Sequence, residues 1–345
     1  MTGLLTYMID SQPDLFKELT GFVLRRYQRN NRKSMRDVYE VDRDFLRLEK
    51  ENLEFLFNNR TDVVTLLNNP DHLSDLARVF VKSSLEFTYN SNQYIHLDNV
   101  EQQRLLDMYQ SYLRGMKQIL ETDRIFNDFE KDFSTLVKDH FNDLSSNISR
   151  FFDRKDARQV QENIILKQVV CAEYSPDFQL GLLGLSPEEL LPPVLDLGCG
   201  KNGTLVKFLR EKGIAALGVD RLVESDPALI EADWFDIKFN AGTWGTILSH
   251  MAFSNHFLFQ HRYKYGKPHQ YARLYMQILE SLKPGGSFIY SPGLPFIEQF
   301  LPKEQFKVES KVMAKSNPMK LDRQEQPVVM QITQLAGDST GAVRQ

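Results

Sequence analysis

Val194-Leu195-Asp196-Leu197-Gly198-Cys199-Gly200-Lys201-Asn202-Gly203 is the stretch that decides the fold. An apolar run from Leu190 meets an acid, then three glycines, then an amphipathic stretch from Thr204 to Lys212. The pattern predicts a strand, a tight turn and a helix N-terminus, the arrangement by which a βα unit holds a nucleotide-like ligand. Glycines let the backbone come close to such a ligand and take angles that a side chain forbids. Asp220 closes the next apolar run, Ala215-Ala216-Leu217-Gly218-Val219, where it is placed to hold a ribose through its hydroxyls. A helix cap for Leu222 onward is the other role open to it.

Gly198, Gly200 and Gly203 also satisfy G-x-G-x-x-G, the dinucleotide fingerprint, so glycine spacing leaves the ligand open. Asp196 decides between ligands. A carboxylate two residues before the first glycine repels a pyrophosphate and suits a ligand with an ammonium group and no phosphate. S-adenosylmethionine (SAM) is such a ligand. Asp196 can face its amino group or brace the glycine turn by accepting backbone N–H bonds.

At this point the chain resembles the class I SAM-dependent methyltransferase family. Asp196-Leu197-Gly198-Cys199-Gly200 is similar to the family's first motif, and Gly218-Val219-Asp220 to its ribose-binding strand end. Ala232-Asp233-Trp234 is similar to the segment after the third strand, which often flanks the adenine. Leu282-Lys283-Pro284-Gly285-Gly286, followed by Ser287-Phe288-Ile289-Tyr290, resembles the turn into the fifth strand. The pieces come in the family's order and cover roughly the C-terminal half. The resemblance implies a doubly wound, mostly parallel seven-stranded α/β sheet with SAM as cofactor. The set expected around SAM is Asp196, Gly198, Cys199, Gly200, Gly203, Asp220, Arg221, Asp233, Trp234 and Ser249. Asp233 can accept from the adenine amino group, with Trp234 or Phe235 against the ring; a surface turn with a core aromatic is the other reading there.

The chain has 345 residues, more than one ordinary domain needs, and its 42% hydrophobic content is enough for two cores. Residues 1–165 read as an all-helical domain, a lid or oligomerisation unit; 166–335 as the SAM-binding domain; 336–345 as a disordered tail rich in Gly, Ser and Asp. From Ile125, the positions Phe126, Phe129, Phe133, Leu136, Val137, His140, Leu144, Ile148 and Phe151 recur every three or four residues, as one helix face requires. Leu105, Tyr109, Tyr112, Met116, Ile119 and Leu120 do the same. Asn69-Pro70-Asp71 starts another helix striped by Leu73, Leu76, Ala77, Phe80 and Phe87. Val38, Val41, Phe45, Leu48 and Leu56 mark an earlier one, and Tyr89-Asn90-Ser91-Asn92 reads as a loop. Asn163 to Leu183 reads as helix interrupted at Ser175-Pro176. Strands are expected at 194–197, 215–220, 229–232, 244–249 and 286–291, alternating with helices as a parallel sheet demands. A final hairpin, Phe306 to Ala314 with Val328 to Leu335, adds an antiparallel strand.

A net charge of −4 offers no global basic field for nucleic acid or an acidic membrane. Arg25-Arg26-Tyr27-Gln28-Arg29-Asn30-Asn31-Arg32-Lys33 is a basic run, but acids follow it at once, and it reads as a solvated helix face. Cys171 and Cys199 make no disulfide framework and read as reduced, in a cytoplasmic protein. The N-terminus lacks the pattern of a secretory signal, and no apolar run approaches a membrane span.

After the fourth strand, His250, His256, His261 and His269 fall within twenty residues, interleaved with Phe253, Phe257, Phe259, Tyr263, Tyr265 and Tyr271. The spacings of six, five and eight put no histidine pair at i,i+4, and no acid accompanies them, so a metal site is rejected. The segment reads as an acceptor pocket, with His250 the first candidate for a proton-removing base and His256 the second. Ser249-His250-Met251-Ala252 also lacks the Asn or Asp, Pro-Pro and aromatic series of enzymes that methylate nucleobase amino groups or glutamine amides, which disfavours those acceptors. The expected function is methyl transfer to an O or N atom of a small-molecule or peptide-like acceptor, secondary metabolites included, with the helical half as lid or homodimer face. Two alternatives stand beside it: a SAM-binding scaffold without turnover, and an NAD-dependent oxidoreductase, which Asp196 opposes.

Overall fold

The structure, a computed structural model, describes residues 13–30, 33, 38, 49–149, 174–262, 266–312 and 328–336. The chain divides into two compact units, Met1–Val170 and Cys171–Gln345. The expected boundary at 165/166, Cys171, the stripe positions Val41, Phe45, Leu48 and Phe151, and residues 337–345 of the tail lie outside the described residues.

The first unit is helical: α1 (Pro13–Asn30), α2 (Lys50–Asn58), α3 (Arg60–Asn68), α4 (Pro70–Ser91), α5 (Asn99–Glu121) and α6 (Phe126–Ser149). Local chemistry starts these helices. Asn69 accepts hydrogen bonds from the amides of Asp71 (2.9 Å) and His72 (3.4 Å), and Pro70 fills the first helical position. Asp98 and Glu101 form a reciprocal capping box at α5. The expected stripes are buried: Leu76, Ala77 and Phe80 on α4, Leu105, Tyr109 and Met116 on α5, Phe129, Phe133 and Val137 on α6. Each such side chain contributes about 1.5–3 kcal/mol by leaving water, which outweighs any local propensity. Two expectations fail for that reason. Tyr89 to Ser91 is not loop but the last turn of α4, because Tyr89 and Ser91 are buried against the core and override their polar neighbours. Ile125 precedes α6 and is 66% exposed rather than part of its stripe.

The second unit begins with α7 (Pro176–Leu183), capped by Ser175, whose hydroxyl accepts from Phe178 N. Then come β1 (Val194–Leu197), α8 (Thr204–Glu211), β2 (Ala216–Asp220), β3 (Leu229–Glu231), β4 (Trp244–His250), α9 (Phe253–Arg262), α10 (Pro268–Glu280), β5 (Leu282–Ser291), α11 (Pro295–Glu298), β6 (Phe306–Val312) and β7 (Val328–Gln334). The sheet order is β3-β2-β1-β4-β5-β7-β6. All pairs are parallel up to β5; β7 runs antiparallel to both β5 and β6. Strand β5 starts at Leu282, ahead of the expected 286–291 segment, since Leu282 already pairs with Trp244 across a register shift.

Helices cover both faces. Phe253, Phe257, Tyr271, Tyr275 and Ile278 of α9 and α10 pack with Leu195, Leu197, Ile247 and Phe288. Leu180, Leu183, Leu205, Val206 and Leu209 of α7 and α8 pack with Val194, Leu248 and Ile289 on the other. Strand β1 lies between β2 and β4, where the order of connection reverses. In a sheet of this kind ligands sit beyond the carboxyl ends of the strands at that reversal.

Candidate active site

The turn after β1 needs glycine. Gly198 (φ +89°), Gly200 (φ +74°) and Gly203 (φ +56°) are left-handed. A Cβ on Gly198 would lie 2.4 Å from that of Ala252, and one on Gly203 would lie 2.3 Å from Leu229 Cδ2. The turn is therefore seated on β3 and on the chain leaving β4. Gly198 N donates to Val219 O (2.9 Å), and Gly200 N donates to Asp220 Oδ2 (3.1 Å).

The acid that braces this turn is thus Asp220, not Asp196. Its other oxygen accepts from Leu222 N (3.3 Å) in a side-chain turn, and no helix follows it, so the helix-cap role is absent. Burial pushes its carboxyl up from the ordinary value; the charge of adjacent Arg221 pulls it back. Asp196 stands on β1 between β2 and β4, 2% exposed, and its Oδ2 is buried with no hydrogen-bond partner. Burial, and then the negative charge of Asp220, push it up to about 7. Two acids share one end of the sheet, and the more deeply buried one has an unsatisfied oxygen.

The other expected residues pack in the core or hold local backbone. Cys199 is buried in the core on the α8 side, its Sγ 2.7 Å from where a Cβ on Gly218 would stand. Ser249 donates to Leu197 O (2.8 Å) and accepts from Phe253 N (3.0 Å), tying β4 to the end of β1 and capping α9. Asp233 accepts from Phe235 N (3.1 Å) and starts a single 3₁₀ turn, Trp234–Asp236. Trp234 is buried against Phe253 (6.0 Å) and His256 (4.9 Å), the core aromatic of the second reading, and its Nε1 has no partner. Its ring also borders Gly198, 3.2 Å from that residue's hypothetical Cβ. Phe235 is half-buried, edge-on to Tyr271 at 5.0 Å.

Of the four clustered histidines, two turn inward. His250 ends β4 opposite Ser291; it is buried, its Nε2 has no partner, and burial pushes it down to about 4. The imidazole is therefore neutral at neutral pH. His256 is buried on α9 beside Trp234. His261 stacks on Phe296 at 4.0 Å and is exposed, as is His269. Tyr263 and Tyr265 lie outside the described residues. Among the described residues, no group of three or more His, Cys, Asp or Glu is placed to hold a metal ion. Met251, next after His250, has a positive φ of 54°. Such a conformation in a non-glycine residue stores strain and is enriched at functional sites.

Sequence reasoning missed the rings beside His250. Tyr174 and Phe178 stack on each other (4.9 Å) and stand edge-on to His250 at 5.4 and 6.3 Å. Tyr174 O accepts from Thr204 Oγ1 (3.2 Å) at the start of α8, which pins the segment to the glycine turn. Ser175-Pro176 signals the helix but says nothing of the rings beside it. Ser254 was missed as well: it is fully buried and its Oγ has no partner. Asp196 Oδ2, Trp234 Nε1, His250 Nε2 and Ser254 Oγ thus place four unsatisfied buried polar atoms on β1, β4 and the segments after β3 and β4. Buried polar groups are nearly always paired, so each of these exceptions calls for a partner that the chain itself does not supply.

No family model and no curated protein matches the chain. Among solved structures it is similar to a putative SAM-dependent methyltransferase from Listeria monocytogenes, at 16% identity over 44% of this chain and 96% of that one, with a TM-score of 0.32. It is also similar to the plantazolicin methyltransferase BpumL in complex with SAH, at 13% identity over 55% of this chain and 93% of that one (TM-score 0.32). An rRNA methylase from Streptococcus thermophilus matches at 14% identity over 48% of this chain and 100% of that one (TM-score 0.30). The class of fold stands on the sheet itself. Seven strands in the order β3-β2-β1-β4-β5-β7-β6, with β7 alone reversed, are the class I SAM-dependent methyltransferase fold.

Proposed function

We propose that the chain is an enzyme that binds SAM at the Asp196–Gly203 turn and transfers its methyl group to an O or N atom of a small-molecule or peptide-like acceptor. The observation that carries this reading is Asp196, a buried carboxyl with an unsatisfied oxygen, raised further by a second acid beside it. A pyrophosphate would add two negative charges to that site and deepen the penalty. A ligand with an ammonium and a sulfonium, and no phosphate, relieves it. The left-handed glycines leave room for a backbone-close ligand, and Asp220, at the end of β2 and bonded to Gly200 N, stands beside the same turn for ribose hydroxyls. Asp233 and Phe235 remain the candidates nearest an adenine, with Trp234 behind the turn.

SAM, when bound, supplies a methyl group on an electrophilic sulfonium. The chain's own work is placement and exclusion of water, which supply most of the rate in reactions of this type. Tyr174 and Phe178 stand edge-on to His250 and would help to exclude water there. The neutral His250 Nε2 can accept a proton from an acceptor hydroxyl or hold an acceptor amine by a hydrogen bond. His256 is the second candidate base. The helical unit would set acceptor identity or form a homodimer face. The net charge of −4 favours a small or peptide-like acceptor over nucleic acid, and no helix among the described residues is long and apolar enough to cross a membrane.

Titration calorimetry with SAM, S-adenosylhomocysteine and NAD tests the reading. Binding of the first two and not of NAD is expected. NAD binding, or none at all, overturns it; SAM binding with no methyl transfer to any acceptor of a broad panel leaves a scaffold.

A further inference from the structure

A third buried acid stands at the carboxyl end of the sheet, and it has no counter-ion. Glu298 closes α11, the short helix that follows β5, and is 8% exposed. Tyr290 OH donates to its Oε1 at 2.6 Å, and Leu294 N donates to the same oxygen. Tyr275 OH lies 2.9 Å from Tyr290 OH and extends the chain of hydroxyls. Among the described residues, Oε2 receives no hydrogen bond and no cation pairs with Glu298. Burial pushes the carboxyl up from its ordinary value, and the two donors pull it back.

A residue that only clasps the turn after β5 does not need this charge. A glutamine oxygen accepts the same two bonds and spares the cost of burying a carboxylate. One oxygen is held by the protein, and the other is left for a partner. The partner that offsets a buried negative charge is a cation.

The place of Glu298 narrows which cation. Tyr290 precedes Ser291, which pairs with His250 at the end of β4 and accepts from Met251 N at 2.9 Å. Tyr290 packs on the sheet face covered by α9 and α10, whereas His250 meets Phe178 of α7 on the other. Glu298 and His250 therefore approach the ends of β4 and β5 from opposite faces. The ammonium of SAM is assigned to Asp196 on β1, and β4 separates that strand from β5. Glu298 is left for a second cation. Rings line its surroundings: Phe288 lies 4.5 Å from Tyr290, and Phe257 stands edge-on to Phe296 of α11 at 5.0 Å. Aromatic faces attract organic cations. A metal ion is a poor fit, because among the described residues no three ligands gather for one.

We propose that Glu298 is a specificity-determining residue for the acceptor, its Oε2 holding an ammonium group, so that the acceptor is an amine rather than a neutral alcohol or an acid. This inference rests on the reading of the strand ends as a methyl-transfer site and narrows the acceptor of that site.

The test uses the full chain. It is titrated calorimetrically with S-adenosylhomocysteine and then, saturated with it so that Asp196 is occupied, with phenethylamine, phenethyl alcohol and hydrocinnamate at neutral pH and fixed ionic strength. Phenethylamine is expected to bind with Kd of about 0.1–1 mM, the range open to so small a ligand. Phenethyl alcohol has the same size without the charge and should bind at least about tenfold more weakly, and hydrocinnamate should not bind. Glu298→Gln keeps an oxygen for Tyr290 and Leu294. It should lower phenethylamine to the level of phenethyl alcohol and leave S-adenosylhomocysteine affinity unchanged. Absence of S-adenosylhomocysteine binding removes the methyl-transfer reading and this proposal with it. Where S-adenosylhomocysteine binds, the proposal alone is overturned by failure of phenethylamine to bind, by equal binding of amine and alcohol, or by a preference for the amine that survives in Glu298→Gln. If the variant fails to fold, the comparison of amine with alcohol in the native chain still decides.

Discussion

Replacing Asp196 by asparagine should stabilise the ligand-free protein and weaken its hold on SAM. The carboxyl is 2% exposed and is pushed from 3.8 to about 7 by burial and by Asp220. Between those two values the folded state holds a proton that the unfolded chain has lost, so stability falls as pH rises. The penalty is absent below about pH 4 and complete above about pH 7. At 1.36 kcal/mol per pH unit, the gap corresponds to roughly 4 kcal/mol, an upper bound for a site that can relax. Asp196→Asn keeps the shape, removes the charge and so removes this pH dependence. Going from pH 5 to pH 8, the denaturant midpoint of the variant should rise relative to that of the native chain; His250 and His140, pushed down by burial, add stability with rising pH in both proteins, and Asp220 removes some in both, so only the difference between the two proteins reports Asp196. A cationic ligand reverses the balance, because it holds Asp196 ionised. SAM should therefore bind more tightly as pH rises from 6 to 8, with about one proton released per site at pH 6, read by calorimetry in buffers of different ionisation enthalpy. The variant should lose about 1.5–3 kcal/mol of SAM affinity, roughly 10- to 150-fold. Equal SAM affinity in the two proteins, or no proton released at pH 6, would refute the reasoning.

Gly198→Ala puts a Cβ 2.4 Å from Ala252 Cβ at a φ of +89°, and should cost about 2–4 kcal/mol from overpacking and strain together, measured by urea unfolding. Ser249→Ala removes the hydroxyl that joins Leu197 O to Phe253 N, and should lower stability by about 1–3 kcal/mol without changing which nucleosides compete for the site. Asp220→Asn should weaken SAM more than it weakens methionine-like fragments without ribose; equal losses would leave the residue only the bracing of the turn. His250→Ala should lower turnover about 10²- to 10⁴-fold on a hydroxyl acceptor with SAM affinity nearly intact. His256→Ala should show its effect first in the melting temperature, because its ring is packed on Trp234. Near-native turnover in both histidine variants would point to an amine acceptor that needs no base.

The sheet was legible because its central strands β1 and β4 are apolar runs buried on both faces, while burial repeats at the helical period in α4 to α6; the edge strand β3 exposes Ile230 and Glu231. What was not legible depends on partners remote in sequence. Tyr89 to Ser91 reads as loop until the core that covers it is known. Arg26 sits among exposed basic residues, and only the packing of α1 on α4 turns it inward. The stack of Tyr174 and Phe178 has no periodicity, since two rings and one carbonyl bond hold it.

The roles of the two acids show how far register carries such an inference. Both were expected near the ligand, and the brace of the glycine turn was assigned to Asp196 as an option. Strand pairing decides otherwise. Leu197 lies opposite Val219 in the parallel register, so the residue after Val219 arrives beside the turn that follows Leu197. That residue is Asp220, and Gly200 N donates to it. Asp196 is one step too early on its own strand to curl back to those amides, and it is enclosed by β2 and β4. One acid is thus occupied in shaping the turn, and the other is left buried with an oxygen that nothing in the described protein satisfies. In a fold whose ligands sit at this strand end, that leaves Asp196 as the group whose charge a cationic ligand would relieve. On that reading the same three glycines need not mean a dinucleotide: the glycines set the shape of the turn, and the acid beneath it would set the charge of what binds there.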